Sequence, residues 1–349
     1  MRFLLMLGCT WLAWAASGAE LRFNFGELAA SGDLTNFHAV VLGAGGPAAW
    51  RVLPGVVPSA FSPLSSGAQA AGGGSALAQT SQDMSDERFP MYIYDAEKFR
   101  NFRFSTKFKI VSGVAEQMAG VVFRFQNTSN YYVVRLSALG RNLRFYKVVD
   151  GQRSPPIGVP WQGDTSAWHQ LAVECEGTQI SVWLDGQLAM PTLGDSTFSE
   201  GKIGFWTKSD AVTYFADADI NYTPIIPAAQ VLVDTVMKQQ SRMLGLQIYT
   251  LANSNSAAVL ASNDPAERGQ PGTDAEVAAI RDGSVWFGRD HDVDFVTLPL
   301  PDRNGDYIAA VRFKLKSFFG ETQDNAVLRA RMVLKIMEQY CSSADDLLK

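Results

Sequence analysis

The sequence predicts a mainly β protein: a two-sheet jelly-roll sandwich followed by a smaller α+β domain. Three observations carry that expectation. About ten short runs rich in β-branched and aromatic residues fill the first two thirds of the chain, with almost no helical period between them. Polar spacers bearing Asn, Ser and Gly separate the runs, as tight turns require. Beyond Pro224–Pro227 apolar residues recur at helical spacing, and the order of elements becomes helix, two strands, helix, three strands, helix.

The central meander organises the rest. VVFRF (121–125), YYVVRL (131–136) and LRFYKVV (143–149) are joined by QNTSN and SALGRN, which reads as three antiparallel strands. Upstream, residues 1–19 read as a secretory signal peptide. Arg2 precedes the apolar FLLMLGCTWLAWAA, and Ser17-Gly18-Ala19 offers small residues before a cut at Glu20. The apolar run of about 14 residues is shorter than the roughly 17–25 that span a bilayer. A lipid-attachment reading of Cys9 places that cysteine too early in the run. No later stretch is long and apolar enough to cross a membrane, so an exported, soluble mature chain is expected, periplasmic or extracellular.

The domain expected over 20–223 opens with edge-strand runs broken by Gly and Pro (21–61). Residues 62–82, nearly all Ser, Gly, Ala and Gln, read as a flexible surface insertion, because they bury too little surface to offset their ordering entropy. MYIYD (91–95) resumes the strands. FRFSTKFKIV (102–111) then alternates strictly, with Phe102, Phe104, Thr106, Phe108 and Ile110 on one face. HQLAVECEG, TQISVWLDGQ, GKIGFWTKS and VTYFADADINY complete the set, with Asp185-Gly186 as a hairpin turn.

The second domain, expected over 224–349, begins with a helix read over 228–246 from Val231, Val233, Val236 and Met243. Thr273 with Glu276 forms a capping box for the next helix and Gly283 its stop. Asn304-Gly305 marks a hairpin, and AVLRARMVLKIMEQY closes the chain as a helix.

Composition narrows the function. A net charge of −5 with no basic tract excludes nucleic acid as an expected partner, and 47% hydrophobic with 19% charged residues is ordinary for a globular protein. The three histidines are far apart and there is no Cys-x-x-Cys, so no metal or other cofactor is expected. Asp290, Asp292 and Asp294 cluster around His291 but lack the glycine and terminal glutamate of a calcium loop. Cys175 and Cys341 fall in different domains; one buried and one exposed thiol is the expectation, with a disulfide as the alternative.

Residues 20–222 resemble the concanavalin A-like jelly-roll superfamily, in particular laminin-G-like domains and the related 3-keto-disaccharide hydrolase family. AGVVFRFQNTSNYYVVRL, WHQLAVECEGTQISVWLDGQ and GKIGFWTKSDAVTYFADADI carry the resemblance. That superfamily includes lectins, glucanases and adhesion modules, so it implies the fold more than an activity. Residues 228–320 resemble Cache-type, PAS-like extracellular sensor domains, through GLQIYTL, VLASNDPAERGQPG and PLPDRNGDYIAAVRFKL. The resemblance implies binding of a small organic ligand.

A retaining glycosidase needs two carboxylates about 5–5.5 Å apart, and Glu-x-Asp-x-Glu along one strand would supply them. The chain has only Asp217 with Asp219, read as structural acceptors, and Glu174 with Glu176, read as a solvated strand face. A binding face is better supplied. Arg124, Arg135, Arg144 and Tyr146 alternate toward one side of the meander, and Trp206 with Lys208 joins them, so aromatics lie beside hydrogen-bonding groups. The competing reading is a plain solvated sheet face. In the second domain Tyr249, Trp286, Arg289, Phe295 and Arg312 are the residues expected around a ligand pocket. The function expected is binding of carbohydrate or another extracytoplasmic polymer. A glycoside or 3-keto-disaccharide hydrolase, or a non-catalytic envelope component, stands as the alternative.

Overall fold

A computed structural model describes residues 18–31, 33–59, 73–253, 255–341 and 343–348. Residues 1–17 of the signal peptide expected over 1–19, with Cys9, and the 62–72 part of the expected insertion lie outside the described residues. The chain divides into two units after Ile225.

The first unit is a sandwich of two antiparallel sheets. The front sheet runs Gln152–Arg153, Asn142–Val149, Asn130–Ser137, Met118–Asn127, Gly201–Trp206, Arg88–Phe99, Phe37–Gly43, with Ile157–Pro160 also beside Asn142–Val149. The back sheet runs Gln187–Leu188, Gln179–Leu184, His169–Glu176, Phe102–Ser112, Val212–Tyr222, Gly74–Gln79, Trp50–Val57. Ala19–Phe23 lies against Val212–Tyr222, with Ala19 opposite Tyr222. Phe104 and Phe108 from the back sheet meet Phe123, Tyr132 and Phe205 from the front, so period-two alternation builds the core between them. Asp185-Gly186 makes the expected two-residue turn, both residues at positive φ.

Two expectations for this unit need correction. Residues 74–79 of the supposed insertion form a strand whose Ala76, Leu77, Ala78 and Gln79 are buried. Small side chains suit this place because the helix Phe25–Ser31, in a stretch read as edge strands, packs over it; a Cβ on Gly26 would lie 2.8 Å from the Ser75 hydroxyl. Low hydrophobicity marked close packing rather than disorder.

The second unit holds one five-stranded antiparallel sheet, ordered Ser256–Ser262, Met243–Asn253, Tyr307–Lys316, Val293–Pro301, Trp286–Asp290. Helices Ala228–Gln239 and Gln323–Glu338 share an apolar core with one face of the sheet. Asp274–Asp282 packs on the other face through Ala279 and Ile280 against Tyr249, Val259 and Ala310. The first helix stops at Gln239, not at 246: Met243 already pairs with Leu315, and Val231 is exposed while Leu232 and Val233 are buried. The capping box forms as the spacing predicts, and Gly283 ends the helix at φ 71°. Cys175 and Cys341 are both free and both buried, which corrects the expected exposed thiol. Burial pushes the Cys175 thiol up to about 12 and the Cys341 thiol up to about 11.

Candidate functional site

The outer face of an antiparallel sheet normally carries solvated side chains. Here the outer face of the front sheet carries a second apolar cluster that includes Val122, Tyr131, Val133, Val148 and Trp206. Above it lies a cleft of about 570 Å³, within the range that holds small ligands. Arg135, Tyr146, Trp206 and Lys208, four of the six residues singled out in this domain, line it.

Their local settings differ. Trp206 is the floor: it is 4% exposed and stacked beneath Phe89, ring centroids 5.7 Å apart. Tyr146 is half-buried, and Arg153 sits over both Tyr146 (5.3 Å) and Phe89 (5.7 Å), a cation between two rings. Lys208 gathers carboxylates: its Nζ lies 2.7 Å from Asp86, 2.9 Å from Glu116 and 3.8 Å from Glu87. Burial works against that ammonium, but the hydrogen bonds it donates to Asp86 and Glu116 raise its pKa overall. The same bond holds the Asp86 carboxyl below its usual range, the opposite of what a general acid needs. Asp210 sets Glu116 in place by accepting the amides of Val114, Ala115 and Glu116 at 2.6, 3.1 and 2.9 Å.

Arg135 is 7% exposed. Its guanidinium donates to the Asn142 side chain and to the Tyr146 hydroxyl at 2.9 Å. Among the described residues no carboxylate lies within 4.0 Å of it. Burial lowers its pKa. Arg144, its partner across the strand pair, shares its face at the rim but does not line the cleft.

Arg124 does not join them. Val122 pairs with Gly204 and Phe125 with Lys202, so three residue steps oppose two and the strand bulges at Arg124, φ 45°. Phe125 takes the face that alternation assigned to Arg124. The fully buried Arg124 side chain instead donates to the carbonyls of Phe198 (2.7 Å), Gly177 (2.5 Å) and Arg100 (3.3 Å). It ties three loops together.

In the second unit Trp286, Arg289, Phe295 and Arg312 line a shallow hollow of about 360 Å³. Tyr249 is buried beside it, 5.2 Å beneath the Arg312 guanidinium. Both arginines are paired: Arg289 forks onto Asp294, and Arg312 onto Glu276 at 2.6 and 3.0 Å. Asp294 is buried on Arg289, whereas Asp290 pairs with the exposed His291. Among the described residues no group of His, Cys, Asp and Glu is placed to hold a metal. Asp219 accepts from Ser105 at 2.6 Å, Asp217 pairs with Lys107 at 2.8 Å and Glu174 with Arg103 at 2.8 Å, all on the back sheet.

Arg153, Phe89, Glu87 and Glu116 were missed by sequence reasoning. For Arg153 a signal existed. Asp150-Gly151, at φ 49° and 77°, is a hairpin turn that folds Gln152–Arg153 back so that Arg153 pairs with Val148. Glu87 and Glu116 sit in turns and loops before strands, where no periodicity assigns a face.

No family model matches the chain, and no curated protein matches it. Among solved structures it is similar to a carbohydrate-binding module, CBM66, from Bacillus subtilis, at 21% identity and TM-score 0.37, covering 41% of this chain and 85% of that one. A galectin from Caenorhabditis elegans aligns at 8% identity and TM-score 0.26, covering 36% and 84%. A xylan β-1,4-xylosidase from Bacillus halodurans aligns at 11% identity and TM-score 0.33, covering 42% of this chain and 32% of that one.

Proposed function

We propose that the first unit is a binding module that holds a carbohydrate, or another polymer rich in hydroxyl groups, in the front-sheet cleft. One observation carries the reading: a face that should be solvated is instead an aromatic and aliphatic floor beneath a ring of arginine, tyrosine and lysine donors. Sugar rings present apolar faces and polar edges, and this combination answers both. Export through the leader over 1–19 belongs to the same reading, with Glu20 as the mature N-terminus. The hollow around Trp286 is proposed to take a small organic ligand or to serve assembly, in keeping with the Cache-like resemblance.

A glycan array scored for retained glycan and for released reducing sugar tests the module. Retention of an intact glycan that is lost with Tyr146→Ala supports it. Release of sugar favours the hydrolase alternative and turns attention to Glu87 and Glu116. Silence in both favours the envelope-component role. Intact mass of the secreted chain tests export: a first residue other than Glu20 removes the proposed cut.

A further inference from the structure

The cleft is electrically divided. At one end Lys208 is matched by Asp86, Glu87 and Glu116. At the other, Arg135 lines the cleft with Arg144 beside it at the rim; among the described residues neither has a carboxylate within 4.0 Å, and Glu116 acts on Arg135 only from beyond that distance. Like charges directly opposite in a sheet are destabilising, and a buried guanidinium with no carboxylate in direct contact is costlier still. Arg135 has five N–H groups. Its printed partners, Asn142 and the Tyr146 hydroxyl, engage only Nη1 and one hydrogen of Nη2. The Nε–H and the second Nη2 hydrogen have no partner among the described residues, and the side chain lines the cleft. A guanidinium with N–H groups to spare can donate them to a carboxylate or sulfate.

Resting on the saccharide reading of this cleft, we propose that its ligand is an acidic saccharide, with a carboxylate or sulfate group seated on Arg135 and Arg144 at the rim. The hydroxyl-bearing remainder lies over Tyr146 and the Trp206 floor, toward the Lys208 cluster. The chain as a whole carries −5, so a polyanion gains nothing from the protein at large and must be held by a local site.

The test is titration calorimetry of the full mature chain with three probes of matched length: an oligouronate, a sulfated dextran and a neutral dextran. An anionic probe bound roughly tenfold or more tightly than the neutral one is expected, and its affinity should fall as salt rises. Preference for uronate or for sulfate identifies which anionic group is read. Arg135→Gln should abolish the preference. Should that variant fail to melt cooperatively, Arg144→Gln, at the rim, decides: a several-fold loss for the anionic probe supports the site, and no loss overturns it. Equal binding of the neutral probe overturns the acidic ligand while leaving the saccharide site intact. Anionic binding that survives both substitutions overturns it too, as adhesion elsewhere. A chain that binds none of the three probes, nor any glycan on the array, loses both readings.

Discussion

The cleft of the first unit and the hollow of the second both place arginines beside aromatic rings, yet their charges are settled differently. In the hollow, Arg289 and Arg312 are each forked onto a fully buried carboxylate, Asp294 and Glu276. Glu276 also accepts the Thr273 amide at 2.9 Å, the Thr273 hydroxyl at 2.8 Å and the Thr297 hydroxyl at 2.9 Å, so it closes a helix cap and anchors an arginine at once. In the cleft, Arg135 hydrogen-bonds neutral groups only, and Glu116 acts on it from beyond 4.0 Å. A buried cation already neutralised by its own chain is part of the scaffold. One left with neutral partners keeps its electrostatic demand for a ligand.

The largest effect that sharpens this contrast is Glu276→Ala. It strips a buried fork and half a capping box together, and about 3–5 kcal/mol should vanish from the second unit in urea denaturation. Next is Arg124→Met, which leaves three loop carbonyls without their donor. About 2–3 kcal/mol should be lost from the first unit, with glycan binding unchanged in the folded fraction; lost binding would place Arg124 in the ligand path after all.

Acid should weaken the paired side. Burial alone would raise the Glu276 carboxyl, but the Thr273 donors and Arg312 bring it below its usual value. Arg289 first, against burial, does the same for Asp294. Carboxyls with lowered folded values stabilise fully above their unfolded values near 4, and that stability is lost as pH falls through the lowered ones. Thermal melting should therefore show the second unit's transition dropping between pH 5 and 3. A transition that holds steady would mean the two pairs contribute little. The smallest effect is Trp286→Ala, whose ring is 47% exposed: stability should stay within about 0.5 kcal/mol, so any change in small-ligand binding reports the hollow itself.

Much of this was legible because it follows local rules. Alternation in FRFSTKFKIV, the Asp-Gly turn at 185 and the Thr273–Glu276 box each act over a few residues, and each appears as read. Placement of Trp206 and Tyr146 followed because their strands keep register around them. Arg124 failed where register fails: one bulge exchanges the faces of Arg124 and Phe125, and nothing in the composition of VVFRF announces it. Lys208's partners were hidden for another reason. They come from residues about 90 and 120 positions away, brought together only by strand order.

The cation held between Tyr146 and Phe89 has a consequence for access to those two rings. Arg153 belongs to the first strand of the front sheet and Phe89 to the sixth, five steps or roughly 24 Å apart if the sheet were flat. Their side chains nevertheless meet, so the sheet curls until its first and sixth strands are bridged by one half-exposed guanidinium. A ligand that is to reach both rings must displace that guanidinium, against two contacts of about 0.5–1 kcal/mol each.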